Sequence, residues 1–217
     1  LRNENLQDVP ASVTVLGEQQ LTRAGVREVK DFVELTPNVS FQQSQNAGTS
    51  ALVIRGVSQI RNVDAPAAIV IDGVQTIDPN QFNQALFDIE SIEVFRGPQG
   101  AYWGRNAIAG AINITTHQPS DDLEARLTSR YQSGDDIWVS GLVSGPLVED
   151  KAYFKLAAFY NDRKGRIDTT AFDNADFVKQ YGVRGSLIFN ATPELTIELR
   201  GAYQDFEGGA LYWAKVD

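Results

Sequence analysis

The chain has 217 residues and a formal net charge of −9, from 19 Lys and Arg against 28 Asp and Glu. This balance excludes a nucleic-acid partner, which would require a clustered basic surface. The lack of cysteine excludes disulfides and thiolate metal sites, and His117 alone cannot form a zinc site. No apolar run reaches the roughly 18–20 residues of a membrane-spanning helix, which leaves open membrane strands of about 9–11 residues.

The first half of the chain has the pattern of a small α+β domain. It begins LRNENLQDVP, without methionine or a leader, which predicts a piece of a longer protein. Residues 17–35 carry apolar side chains at helical spacing and predict an amphipathic helix, which Thr36-Pro37 ends. ALVIRGV (51–57), AAIVIDGV (67–74) and IESIEVFRG (89–97) predict strands, with a tight hairpin at Asp72-Gly73.

A glycine-spaced stretch, FRGPQGAYWGRNAIAGAINITT, covers residues 95–116. Its glycines permit backbone turns that a side chain would block. A phosphate-cradling loop of an enzyme is one interpretation. The stretch lacks the G-x-x-x-x-G-K-[ST] arrangement, because Arg105 and Asn106 follow Gly104. The residues after it predict a strand where such a loop requires a helix.

The second half alternates apolar and polar residues with a period of two, which predicts five successive antiparallel strands. A soluble sandwich or lipocalin-like barrel shows the same alternation. The strands are longer than the modal 5–6 residues of soluble proteins, which favours a membrane barrel. Aromatic residues near the strand ends, as membrane interfaces require, favour it as well: Tyr131, Trp138, Tyr160, Tyr181, Phe189, Tyr203 and Phe206.

The glycine-spaced stretch resembles the plug domain of TonB-dependent outer-membrane transporters, with Trp103 where tyrosine is usual and Ala109 in place of a glycine. LQDVPASVTVL, ELTPNVSF, VIRGV and IDGV resemble further segments of that plug. The resemblance implies an α+β plug domain over residues 1–119. The N-terminal part of a transmembrane antiparallel β-barrel follows over residues 120–217. Five of an expected twenty-two strands would be present, so the chain is expected to be a fragment.

The resemblance also implies roles for individual residues. Arg55 and Arg96 are expected to pair with glutamates of the barrel wall, since guanidinium forms bidentate bonds to carboxylates. Three polar loops, 42–50, 58–65 and 76–84, are expected to face the ligand. Their ligand-binding candidates are Gln45, Asn46, Arg61, Asn80 and Phe82. The backbone positions of the plug motif are Gly56, Asp72, Gly73, Gly97, Pro98, Gly100, Gly104, Gly110 and Asn113.

The implied function is TonB-dependent import across the outer membrane of a Gram-negative bacterium, with no catalysis and no cofactor. The expected partners are TonB (through an upstream segment), outer-membrane lipid and a chelated metal or other small ligand. A ferric siderophore is the favoured cargo, and cobalamin or an oligosaccharide are the alternatives. A passive porin or adhesin barrel is a more distant alternative, because about 120 residues of globular domain ahead of the first strand are unexpected there.

Overall fold

The computed structural model describes residues 12–43, 50–58, 67–76, 84–104, 107–167 and 174–209. These residues form two compact units, which divide between Thr116 and His117. Within the described residues, no helix has both the length and the apolar character needed to cross a membrane.

The first unit contains three short helices and two sheets among the described residues. The elements in chain order are β1 (Ser12–Gly17), α1 (Glu18–Ala24), α2 (Val29–Glu34), β2 (Val39–Gln43), β3 (Ser50–Ile54), β4 (Val57–Ser58), β5 (Ala67–Ile71), β6 (Val74–Gln75), β7 (Ile89–Arg96), α3 (Gly100–Trp103) and β8 (Gly110–Thr116). One sheet has the order β1-β7-β8-β5-β6, in which only β5 and β8 run parallel, and a smaller sheet has the order β2-β3-β4.

The predicted helix over residues 17–35 is two helices. Gly25 adopts a left-handed conformation (φ 71°), and its N–H and that of Val26 close the last turn of α1. A glycine in this conformation ends a helix without a steric penalty. The apolar spacing continues across the break because both helices pack Leu21, Phe32 and Val33 into one core.

The core of the first unit lies between the larger sheet and the helices. Ile92 pairs with Ile114 and Val94 pairs with Ile112 across β7 and β8, and all four side chains are fully buried. β8 is central in this sheet, whereas β1 pairs with only one of the described strands, β7. The sheet therefore holds β8 on both sides and β1 on only one.

The second unit is a meander of five antiparallel strands, as predicted. They are β9 (Glu124–Gln132), β10 (Asp136–Val148), β11 (Ala152–Arg163), β12 (Val178–Thr192) and β13 (Leu195–Gly208), in the order β13-β12-β11-β10-β9. Short turns join β9 to β10, β10 to β11 and β12 to β13, and a longer connection over residues 164–177 joins β11 to β12.

The two faces of this sheet have inverted polarity compared with a soluble protein. One face, called here the apolar face, exposes large hydrophobic side chains, including Leu127, Val143, Leu156, Val183, Leu187, Phe189, Ile197 and Leu199. The opposite face, called here the polar face, carries the buried polar side chains Asp136, Ser144, Lys155, Asn161, Gln180 and Ser186. Soluble sheets bury the apolar side instead. The alternation predicted these two sets of residues, and the burial shows which set is exposed.

Candidate functional site

Arg55 occupies a strained turn between β3 and β4. Arg55 (φ 51°) and Gly56 (φ 80°) both have left-handed backbones, as a two-residue hairpin of this type requires. A bulky residue in this conformation is an outlier and costs about 1–2 kcal/mol. The Arg55 guanidinium lies against Gly97, where an added Cβ would be 3.3 Å from Nη1. The side chain of Arg55 therefore reaches the residue next to Arg96.

Arg96 connects three segments of the first unit. It lies at the end of β7, donates from Nη1 to the carbonyl oxygen of Pro37 (3.1 Å) and from Nη2 to Oγ1 of Thr14 in β1 (2.9 Å). The backbone N–H of Arg55 donates to the carbonyl of Asn38 next to Pro37 (2.9 Å). The two predicted arginines thus meet at one turn. Their pairing with wall glutamates stays a prediction.

The glycine-spaced stretch contains the end of β7, a connection that includes α3, and β8, and hydrogen bonds join the two ends of the connection. The N–H groups of Gly97 and Gln99 donate to the carbonyls of Ala109 and Ala107, at 2.9 and 2.8 Å. Gly110 has no room for a side chain, because an added Cβ would be 2.3 Å from the carbonyl oxygen of Phe95. By contrast, Gly100 begins α3 with open space around it, and Gly104 needs its glycine for a positive φ of 73°.

Trp103, at the position where the resemblance expects tyrosine, is partly buried. Its ring lies 5.9 Å from that of Phe95, centroid to centroid, and both contact a small cluster of buried alanines at 68, 107 and 111. Pro98, between the two halves of the motif, is exposed. The motif therefore has a packing role along most of its length.

Asp72 joins the turn after β5 to the end of β8. With Gly73 it forms the predicted tight hairpin, both residues having positive φ (50° and 83°). Its carboxylate accepts hydrogen bonds from the backbone N–H and from Oγ1 of Thr116, both at 2.9 Å. Thr116 is the last residue of the first unit. Asp72 therefore fixes the C-terminal end of that unit to its sheet.

Asn113, the remaining polar position of the motif, is buried in β8. Its Nδ2 donates to Oε2 of Glu93 in β7 at 2.9 Å. This bond joins two central strands. The five ligand-binding candidates, Gln45, Asn46, Arg61, Asn80 and Phe82, lie outside the described residues.

Known proteins resemble this chain in sequence and in fold. The TonB-dependent Receptor Plug Domain family matches residues 5–111. The chain belongs to the TonB-dependent receptor family. The pesticin receptor of Yersinia pestis is 33% identical over 143 residues, which are 65% of this chain and 21% of that receptor. The vitamin B12 transporter BtuB of Vibrio vulnificus is 28% identical over 165 residues, which are 74% of this chain and 26% of that transporter.

A solved structure extends the similarity to the second unit. The ferric yersiniabactin uptake receptor FyuA from Yersinia pestis matches with a TM-score of 0.83 and 24% identity, over 89% of this chain and 31% of FyuA. The chain thus spans less than a third of each of these proteins. In the TonB-dependent receptor fold, the first unit is the plug and β9–β13 are strands of the barrel wall.

The apolar face of this wall carries an aromatic band at one end. Tyr160 pairs directly with Tyr181, and the ring of Tyr181 lies 6.3 Å from that of Tyr203, centroid to centroid. Phe189 lies on the same face near the other end of β12, eight residues from Tyr181. At about 3.4 Å per residue and the tilt of barrel strands, these two aromatics are about 20 Å apart along the membrane normal, comparable to an apolar band of about 25 Å.

Two predicted interface aromatics are not part of this band. Trp138 is buried on the polar face and stacks on Phe159 with ring centroids 5.1 Å apart. Phe206 pairs with Gln180, which places it on the polar face too. The prediction for these two residues is wrong because proximity to a strand end does not decide which face a side chain occupies.

A buried amide cluster lies beside Trp138. Nδ2 of Asn161 donates to Oδ1 of Asp136 (3.0 Å) and to the carbonyl of Ile137 (3.1 Å), and Nε2 of Gln180 donates to Oδ1 of Asn161 (3.2 Å). Asp136, Asn161 and Gln180 are not among the site residues predicted from the sequence. The sequence signal that could identify them is a polar residue at each alternate strand position, between the residues of the apolar face.

Two acidic side chains, Asp135 and Asp176, form hydrogen bonds within the connections at this end of the strands. Lys164 donates to Asp135 (2.9 Å), which lowers the pKa of the Asp135 carboxyl and raises that of Lys164. Asp176 accepts from the N–H groups of Arg166 and Ile167, each at 2.7 Å. Partial burial opposes ionisation of Asp176, but these backbone bonds outweigh it, and the net pKa is lowered. No group of three or more potential metal ligands occurs within the described residues.

Proposed function

We propose that the intact protein imports a chelated, scarce ligand, a ferric siderophore, across the outer membrane of a Gram-negative bacterium. TonB supplies the energy through a segment upstream of β1. The observation that carries this proposal is the order of the two units: a plug followed within seven residues by a sheet that exposes its apolar face. A soluble binding protein has no use for such a face, whereas a lipid-facing wall requires it.

In this proposal the plug, residues 1–119, closes the barrel that residues 120–217 begin. A plug must be held firmly and yet be released. Arg55 and Arg96 hold it through bidentate bonds to carboxylates of glutamates of the barrel wall. The strained backbone of Arg55 supports this role, because such strain persists where function needs the side chain. The cycle breaks and forms no bond in the ligand, so the protein is not an enzyme.

The plug loops at 42–50, 58–65 and 76–84 contact the ligand in this proposal. Gln45, Asn46 and Asn80 offer hydrogen bonds, and Arg61 and Phe82 offer charge and stacking to a chelator. The metal arrives already chelated and is cargo rather than a resident ion. FyuA, named as a ferric yersiniabactin uptake receptor, supports a ferric chelate as the ligand.

The test is uptake by the full-length receptor, expressed in a Gram-negative strain without its own receptors for the probes. Two probes are used: ⁵⁵Fe-loaded yersiniabactin and ⁵⁷Co-cobalamin. We expect accumulation of ⁵⁵Fe that disappears when TonB is deleted. Uptake of cobalamin alone would assign the protein to the alternative ligand. Uptake that persists without TonB would indicate a passive porin, and binding of neither probe would overturn the proposed cargo.

A double variant tests the loops in the same cells. Replacing Arg61 and Phe82 together by alanine should weaken binding of the transported probe. Val74→Ala, at an exposed position of β6 outside the three loops, is the matched control. Equal affinity in the double variant and the control would remove Arg61 and Phe82 from the ligand site.

A further inference from the structure

Four polar side chains form a transverse row on the polar face of the wall. Ser144 in β10 pairs directly with Lys155 in β11, Lys155 with Ser186 in β12, and Ser186 with Arg200 in β13. Directly paired residues of antiparallel strands point to the same face. These four residues, called here the polar row, therefore cross four strands at one level, near the short turns that follow β10 and β12.

The segment that connects the plug to β9 is hydrogen-bonded along this row. Nζ of Lys155 donates to the carbonyl of His117. Arg200 donates from Nη2 to Oε1 of Gln118 (3.4 Å), and Oγ of Ser144 accepts from the backbone N–H of Ser120 (2.8 Å). Three members of the row thus bind three of the four residues His117–Ser120, called here the connector.

The contacts that Ser144 and Lys155 make with the connector are costly to break, because both side chains are buried. Ser144 is fully buried, and its hydroxyl is used twice, because it also donates to the carbonyl of Phe154 at 3.1 Å. Lys155 is only 3% exposed. A buried ammonium group or hydroxyl that loses its partner keeps the full cost of desolvation. Ser186, between Lys155 and Arg200, is also buried, and its hydroxyl has no hydrogen-bond partner within the described residues.

We propose that the polar row is an anchor that keeps the connector bound to the wall while the plug is displaced. The proposal rests on the proposed import function. The plug then opens from its N-terminal side, where β1 is an edge strand, and its C-terminal end stays at the wall throughout the cycle. Ser144, Lys155 and Arg200 are positioning residues in this scheme. They set the point at which displacement stops and from which the plug returns.

The first test pulls the intact receptor in outer-membrane vesicles by an N-terminal tag and needs no ligand. We expect the chain to extend by about 116 residues, on the order of 400 Å, and then to resist until a separate final rupture. In the double variant Lys155→Met with Ser144→Ala, this final rupture should be lost. Lys151→Met, an exposed lysine in the turn after β10, is the matched control and should keep it. Identical traces for the double variant and the control would overturn the anchor.

The second test locks the connector in place. The Ser120 nitrogen and Ser144 Oγ are 2.8 Å apart, so the two Cα atoms lie within about 7 Å, the upper limit of the Cα separation that a disulfide bridges. The chain has no cysteine of its own to interfere. With Ser120→Cys and Ser144→Cys oxidised, we expect TonB-dependent uptake of ⁵⁵Fe-yersiniabactin to stay within about twofold of the reduced form. A loss of uptake that reductant restores would show that the connector must leave the wall.

The two tests separate this proposal from the proposed function. If the wild-type receptor imports neither probe, the proposed cargo is overturned, and the pulling experiment still decides whether the anchor exists. If import is TonB-dependent but the final rupture is missing or the lock stops uptake, the anchor fails and the import function stands.

Discussion

The carboxylate of Asp72 should set the local stability of the C-terminal end of the plug. It accepts two hydrogen bonds from Thr116, and Thr116 is only 2% exposed. Asp72→Gly removes both bonds but keeps the turn unstrained, because glycine adopts the positive φ of 50° freely. Hydrogen bonds to a charged group contribute about 1.5–3 kcal/mol each, and two that share one carboxylate are not additive. The expected loss is therefore about 2–3 kcal/mol of local stability.

Hydrogen exchange on the intact receptor measures this loss directly. A loss of about 2–3 kcal/mol corresponds to exchange of the Thr116 amide about 30- to 150-fold faster. Asp72→Asn keeps the side-chain shape and tolerates the turn, so it should fall between wild type and Asp72→Gly. Glu90→Ala, which removes an exposed acid from neighbouring β7, should leave the rate unchanged. An Asp72→Gly receptor with wild-type exchange at Thr116 would refute the reasoning.

Three further predictions concern separate parts of the chain. Gly110→Ala should destabilise the plug by about 3 kcal/mol, because its Cβ would collide with a backbone carbonyl, whereas Gly100→Ala should be tolerated; equal hydrogen exchange in the two variants would contradict this. Arg96→Ala should weaken the attachment of β1 by about 1–2 kcal/mol, because it removes two partly exposed hydrogen bonds; hydrogen exchange should become faster in Ser12–Gly17 and at the Arg55 amide, which is bonded next to Pro37. The turn around Asp176 should hold at pH 5–8. The depressed pKa makes its contribution present above the unfolded value of about 3.9 and lost as pH falls through the folded one, so protection of the Ile167 amide should drop below about pH 4. Asp176→Asn should abolish that pH dependence.

The period-two alternation made the five wall strands predictable, because successive side chains of a strand must point to opposite faces. The alternation does not show which face of the sheet is exposed. Leu187 and Ser186 occupy alternate positions in a soluble sandwich and in a membrane wall alike. Only the observed exposure of Leu187 and burial of Ser186 separates the two interpretations. In the sequence, only the resemblance of the glycine-spaced stretch to a plug domain favours the membrane wall over the soluble sandwich.

Contacts between residues that are far apart in the chain could not be predicted from the sequence, because they depend on the register of paired strands. Arg96 meets Thr14 across 82 residues, and the pairing depends on the register of β1 against β7. The alignment of Ser144 with Lys155 likewise depends on the turn between β10 and β11. A shift of one residue in either register would move the side chain to the other face. Composition and spacing do not carry that information.

The hydrogen-bond partners of the chain change between Thr116 and His117, and this change should mark where displacement of the plug stops. Thr116 is bound within the plug by Asp72, whereas the carbonyl of His117 is bound on the wall by Lys155. Force applied upstream of β1 extracts the elements in chain order, so the Asp72–Thr116 bonds break when the turn after β5 leaves, before β7 and β8 are extracted. If the anchor holds, Asp72→Gly should lower the force at which β5 and the turn after it leave the plug, and it should leave the final rupture at the connector unchanged. A simultaneous drop in both forces would mean that Asp72 and Lys155 belong to one cooperative unit, and the boundary would then lie beyond the connector.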